Sequence, residues 1–192
     1  MLFRSTYELA WEQALGPHFK ASVGAYWNQI DDLISRERDV NTGLPWVVNH
    51  GSVAGRGAEF EVEGRAESGL RGRLSYSLQR TEDTETRQEL GNSPRHLGKL
   101  NIAVPICSQK VFAGFELRYQ SSVRTVYATQ SPSFWVANAT LFSKDIVKGL
   151  ELSASVYNIF DRQYYNPGGP EHAWAVMPQI GRQLMFKATY RF

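Results

Sequence analysis

Residues 183–192, Gln183-Leu184-Met185-Phe186-Lys187-Ala188-Thr189-Tyr190-Arg191-Phe192, decide the fold. Leu184, Phe186, Ala188, Tyr190 and Phe192 are apolar, while Gln183, Lys187, Thr189 and Arg191 between them are polar and only Met185 breaks the second set. A period of two is the signature of a strand with one apolar and one polar face, because successive side chains leave an extended backbone on opposite sides. An aromatic closing such a strand predicts the closing strand of a membrane barrel, whose girdle aromatics sit at the lipid–water boundary.

The same alternation recurs upstream. Tyr7, Leu9 and Trp11 alternate with Glu8, Ala10 and Glu12 before Gly16-Pro17. Phe19, Ala21, Val23, Ala25 and Trp27 oppose His18, Lys20, Ser22, Tyr26 and Asn28. Ala58, Phe60 and Val62 oppose Glu59, Glu61 and Glu63, and after a Glu67-Ser68-Gly69 turn Leu70, Gly72, Leu74, Tyr76 and Leu78 oppose Arg71, Arg73, Ser75, Ser77 and Gln79. Further apolar rows run through Leu100, Ile102 and Val104; Val111, Ala113, Phe115, Leu117 and Tyr119; Trp135, Ala137, Ala139 and Leu141; and Leu150, Leu152, Ala154 and Val156. These patterns predict an all-β chain of about nine antiparallel strands and essentially no helix. A slip of one residue would move every charge to the wrong face, so the Glu and Arg rows are expected to share a polar lumen and the apolar rows an outer face.

The connections alternate in length. Short turns are read at Gly16, at Gly69, around Ser108 within residues 105–110, and around Val147 within residues 143–149; long irregular loops are read at residues 29–50, where Leu33-Ile34 offer an extension of the preceding strand, and at 81–95, 121–133 and 161–180. Outer-membrane barrels carry short turns at the periplasmic end and long loops outside, which soluble sandwiches have no reason to imitate. An odd number of strands leaves two edges that lipid cannot satisfy, so the chain is expected to be the carboxy-terminal portion of a larger up-and-down barrel.

Composition bounds the function. The 192 residues are 42% hydrophobic and 12% aromatic, enough for one domain. Lys and Arg number 21 against 19 Asp and Glu, a net charge of +2 with scattered basic residues, so nucleic acid is not an expected partner. No apolar run reaches the roughly 18 residues of a membrane helix. Residues 1–7 lack the basic and apolar parts of a secretory signal, which is expected either of a mature fragment or of a chain that is not an outer-membrane protein. The single cysteine, Cys107, is read as a bystander near a turn. His18, His50, His96 and His172 have no metal-ligand spacing, no cofactor is implied, and the glutamate row needs only a wet face, so no catalysis is assigned.

Val156-Tyr157-Asn158-Ile159-Phe160-Asp161-Arg162-Gln163-Tyr164, followed by Gly181-Arg182 and the end Ala188-Thr189-Tyr190-Arg191-Phe192, resembles the carboxy-terminal signature of TonB-dependent outer-membrane receptors. Ser52-Val53-Ala54-Gly55-Arg56-Gly57-Ala58-Glu59 and Asn92-Ser93-Pro94-Arg95-His96 are similar to internal barrel segments of that family. The resemblance implies a Gram-negative outer membrane, a plugged barrel of about 22 strands, and uptake of a ferric siderophore, cobalamin or similar scarce ligand with energy passed through TonB. The plug and the TonB-contacting box are expected to lie outside these residues. It also implies that Phe186, Tyr190 and Phe192 are read by the barrel assembly machinery. Asn158 and Asp161 are read as structural, ending a strand through bonds to backbone amides. Aromatic and cationic side chains of the outer loops suit an anionic, siderophore-like chelate: Trp46, His50, Arg87, Tyr127, Tyr164, Tyr165, His172 and Trp174. A small self-standing outer-membrane barrel serving adhesion or diffusion, or a soluble all-β binding module, are the alternatives.

Overall fold

The computed structural model describes residues 3–39, 41–107 and 110–192. Nine long strands build one antiparallel sheet: β1 (Phe3–Leu15), β2 (Phe19–Arg38), β3 (Pro45–Arg65), β4 (Arg71–Asp83), β5 (His96–Cys107), β6 (Val111–Gln120), β9 (Phe134–Val147), β10 (Leu150–Tyr157) and β13 (Gln183–Tyr190). They pair in chain order, β1-β2-β3-β4-β5-β6-β9-β10-β13. Between them lie two small hairpins, β7 (Val123–Arg124) with β8 (Gln130–Ser131) and β11 (Tyr165–Pro167) with β12 (Val176–Pro178). Among the described residues neither β1 nor β13 has a neighbour on its outer edge, so the sheet is not closed.

Register carries the apolar face unbroken across the sheet. Directly opposed residues share a face, and one such row runs Trp11, Val23, Phe60, Tyr76. Another joins Leu74, Leu100, Leu117 and Ala137, and a third joins Ala113, Leu141, Ala154 and Phe186. The polar rows fall together on the other face, where Arg73 reaches diagonally to Glu61 at 2.7 Å. Both expected faces are therefore present. The polar one is the concave one: a single cavity of about 730 Å³ is lined by Lys20, Glu63, Arg71, Asn101, Thr140 and Tyr157. Those residues come from strands as far apart as β2 and β10, which in a flat sheet would stand about 29 Å apart. The apolar side chains have no second sheet over them, since Phe19, Val23 and Trp27 stay exposed. Among the described residues Val123, Phe134 and Val136 are buried at the loop end together with Thr125 and Ser131, while Ala21 and Phe112 are buried near the short-turn end.

Several expected boundaries change. Residues 29–50 are not an irregular loop: Gln29 to Arg38 pair with Ala54 to Pro45 in unbroken register, interrupted only where Asp32 turns out of the ladder at φ 58°. The Asn41-Thr42-Gly43 turn does form, with Gly43 at φ 68°. β3 alone, 21 residues long, measures about 70 Å at 3.3 Å per residue, far more than an apolar band of about 25 Å requires. Its outer half does not alternate apolar and polar residues in the sequence, so it carries no period to read. β4 runs on to Asp83, and β5 begins at His96 and continues through Pro105 to Cys107 by means of a bulge. The turn expected at Ser108 lies outside the described residues. β9 likewise continues to Val147, with an irregular register opposite Leu150 to Leu152. β13 stops at Tyr190, opposite Leu150, because β10 offers no further partner; Arg191 N–H instead donates to the Gly149 carbonyl at 2.9 Å.

Candidate functional site

The long connections do not project independently. Asp83 caps the loop of residues 84–95, its Oδ1 accepting from the N–H groups of Glu85 at 3.0 Å and Thr86 at 2.7 Å. That loop is tied to the β7–β8 hairpin, with Asn92 N–H donating to the Arg124 carbonyl at 2.9 Å and Arg124 Nη1 to the Glu89 carbonyl at 3.1 Å. The hairpin turn is held by Thr125 N–H to the Thr129 carbonyl, 2.9 Å, and by a 2.8 Å contact between the two hydroxyls. This geometry presents Tyr127 at the tip, where its hydroxyl donates to the His172 carbonyl in the β11–β12 connection. Deeper down, fully buried Ser131 donates to the Tyr165 carbonyl at 3.2 Å. The Phe134 ring lies 4.8 Å from that of Tyr164, with the Arg118 guanidinium 5.3 Å from the Phe134 centroid.

Four of the expected ligand-binding residues, Tyr127, Tyr164, Tyr165 and His172, are thus joined in one assembly. His172 Nδ1 accepts from Gly169 N–H at 3.0 Å and lies 3.2 Å from the Glu171 carboxylate. Trp174 belongs to the same connection and is 66% exposed, free of the packing that buries Phe134. Arg87, at φ 58°, stands at the edge of the assembly, 4.0 Å from Glu82. Trp46 and His50 are not loop residues at all but lie on β3. Trp46 is exposed on the β2–β3 hairpin, away from the others.

The periodicity reading missed the floor beneath these loops, a cavity of about 230 Å³ lined by Glu116, Arg118, Asn138, Tyr157, Tyr164 and Gln179. Its signal was the interruption of the lumen row by Glu116 and Arg118, which taken alone looks like any wet strand face. The arrangement offers aromatic faces, phenol hydroxyls and guanidinium groups around an open polar hollow, which suits planar anionic ligands through stacking and charge-assisted bonds. Among the described residues no three His, Cys, Asp or Glu side chains are grouped to hold a metal ion.

Asn158 and Asp161 have the structural roles expected of them. Asn158 Oδ1 accepts from Arg162 N–H and its Nδ2 donates to the Arg162 carbonyl, both at 2.9 Å, while its own N–H donates to Asn138 Oδ1. Asp161 accepts from Arg182 N–H at 2.7 Å, and a Cβ on Gly181 would lie 2.7 Å from the same Asp161 oxygen. The spacing between the Asn-Ile-Phe-Asp segment and Gly181-Arg182 is therefore the length of chain that leaves the wall, forms β11 and β12, and returns to it.

The family model described as "TonB dependent receptor-like, beta-barrel" matches residues 4–159. A ferric-pyoverdine BN7/BN8 receptor of Pseudomonas putida is 26% identical over 147 residues, covering 76% of this chain and 16% of the receptor. Among solved structures, the copper transporter OprC aligns with a TM-score of 0.79 at 17% identity, over 98% of this chain and 31% of that one. The ferric-catecholate import receptor Fiu of Escherichia coli aligns at 0.77 and 19% identity, over 100% and 28%. The FrpB iron transporter of Neisseria meningitidis aligns at 0.76 and 16%, over 98% and 31%. The chain thus spans less than a third of the length of each.

Proposed function

Because this chain belongs to the TonB-dependent receptor β-barrel family of the Gram-negative outer membrane, we propose that it forms the carboxy-terminal wall and outer loops of a receptor that imports a scarce chelated ligand. The family is one of receptors and not a class of enzymes, and no catalytic role is proposed for this chain. In this reading the ligand is of the ferric-siderophore or cobalamin kind, and the rest of the receptor supplies the plug and the contact with TonB. Its likeness to a ferric-pyoverdine receptor and to a ferric-catecholate import receptor favours an iron chelate. The observation that carries the reading is the joined loop assembly above an open polar hollow, with Tyr127 bonded to His172 across two connections and Tyr164 packed on Phe134.

A preformed assembly lowers the ordering cost of capture, so interactions that hold the loops together should add to affinity, though less than the rings that touch the ligand. In the full-length receptor, Tyr164→Ala and Trp174→Ala are expected to weaken binding of a ferric chelate about tenfold each, read by tryptophan fluorescence quenching across a panel of ferric catecholates, ferric hydroxamates and cobalamin. Tyr127→Phe removes one bond and no ring, and should cost less than threefold. Unchanged affinity in Tyr164→Ala and Trp174→Ala for every ligand that the parent binds would place the ligand elsewhere.

A further inference from the structure

On the lipid-facing side of β6, β9, β10 and β13 the wall is not flat. Leu141, Ile146, Leu152 and Phe186 stand exposed around the small side chains of Ala154 and Ala188, and the space between them is an apolar groove of about 540 Å³. A strand added beside β13 by the rest of the receptor extends the wall in its own plane, so the groove stays open to the bilayer.

The groove reaches the short-turn end, where Val111 also lines it. There Tyr190 is opposed to Leu150 and Leu150 to Val147, and the Phe192 ring stands edge-on to that of Tyr190 at 5.1 Å, an aromatic border of the kind that marks the lipid–water boundary. Lys148 lies one step beyond this row. On the adjacent strands Val111 is opposed to Ser143, and one step further Lys144 N–H donates to the Lys110 carbonyl at 2.8 Å. All three lysines are exposed, and none is paired with a carboxylate among the described residues. The nearby Glu151 carboxylate is held by Arg191 at 3.4 Å. Residues 105–110 and 143–150 together contain these three lysines and one acid, Asp145, so the corner carries a net charge of +2. A lysine stem can lie along apolar surface while its ammonium stays among the headgroups. An apolar groove that opens beneath unpaired ammonium groups matches a ligand of two parts, a hydrocarbon chain and an anionic head.

We propose that this corner binds an anionic glycerophospholipid of the inner leaflet, the leaflet at the short-turn, periplasmic end, with one acyl chain in the groove and its phosphate at Lys144 and Lys148. Lys110 adds to the field. A zwitterionic phospholipid fills the same groove, but its own ammonium cancels the gain at the head, so the site selects by headgroup charge. The site rests on the chain's place in an outer-membrane wall and not on the ligand assigned to the loops.

The test uses the full-length receptor in detergent, stripped of native lipid, with native mass spectrometry of bound phosphatidylglycerol and of phosphatidylethanolamine bearing the same acyl chains. The parent should bind phosphatidylglycerol about tenfold more tightly. The double variant Lys144→Gln, Lys148→Gln should lose that preference and hold phosphatidylethanolamine as the parent does. Ala154→Leu fills the groove and should weaken both lipids about threefold with the preference kept. Parent-like urea midpoints identify both variants as folded. Equal binding of the two lipids by the parent, a full preference in the folded lysine variant, or parent-like binding of both lipids by Ala154→Leu would overturn the proposal. So would displacement of the lipid by millimolar glycerol phosphate, which would mark a site for free phosphate. None of these readouts uses a loop ligand, so failure here and failure of the loop assignment are told apart.

Discussion

Asn158 shows how much one side chain can hold at the point where a barrel strand ends. It sits at φ 51° with 3% of its surface exposed, a backbone setting that asparagine tolerates better than most residues, and it supplies both a donor and an acceptor to Arg162. Replacing it with alanine leaves the Arg162 N–H and carbonyl without these partners, and the cost should be about 2–3 kcal/mol, read as a lower urea midpoint of the full receptor in micelles. Asn158→Gly relaxes the backbone but restores neither bond, so it should remain well below the parent. A parent-like Asn158→Gly would mean that backbone conformation, not bonding, fixed this residue. Gly181→Ala tests the other half of the lock. The added Cβ displaces Asp161 from Arg182 N–H, and Asp161→Ala should then cost nothing further in that background.

At the scale of elements, the β2–β3 hairpin is the longest feature of the chain and ends in a turn built on a carboxylate. Asp39 Oδ1 accepts from Asn41 N–H at 2.8 Å and Thr42 N–H at 2.7 Å, and these backbone bonds hold its carboxyl below the ordinary carboxylate range. A group lowered in the folded state contributes stability that is present above its unfolded value and is lost as the pH falls through the folded one. The hairpin tip should therefore be ordered at neutral pH and loosen on acidification below the ordinary carboxylate range. Amide exchange at Asn41 and Thr42, normalised for its intrinsic pH dependence, should rise in that window. In Asp39→Asn, which keeps an acceptor oxygen and does not titrate, the response should be flat; the same acid response in both proteins would assign the opening to another group.

For the molecule as a whole, two open edges and an apolar convex face predict behaviour in isolation. β1 and β13 each present an unpaired ladder edge among the described residues, and Leu9 and Phe186 are more than 70% exposed. The 192-residue chain alone should aggregate in plain buffer and gain its strand signal only in detergent. A monodisperse monomer in light scattering without detergent would contradict this. The exposed Tyr190 and Phe192, in edge-to-face contact at 5.1 Å, are proposed to be read by the assembly machinery. Changing both to serine in the full-length receptor should lower its amount in the outer membrane while leaving ligand affinity per assembled molecule unchanged, because the ligand-facing loops lie at the other end. Normal surface abundance with lost binding would reverse the assigned orientation.

The alternating rows from Tyr7 to Tyr190 determined the two faces of the sheet before any contact was known, since the side to which a residue points in a strand depends only on its parity along the chain. Turn chemistry at Gly16, Gly43, Gly69 and Gly149 was equally local, and each of these glycines has a positive φ. Polar strands escaped the reading. Residues 29–38 and 45–54 show no clear alternation in the sequence, so only their mutual pairing reveals that they are strands. The site was legible as a set of residue types and not as a place: Tyr127 meets His172 across 45 positions and Ser131 meets Tyr165 across 34, while Trp46, equally aromatic, stands apart on β3. The meeting of Lys110 and Lys144 across separate turns is likewise a product of register. Which residues share a face is fixed within a strand; which residues face each other is fixed only between strands.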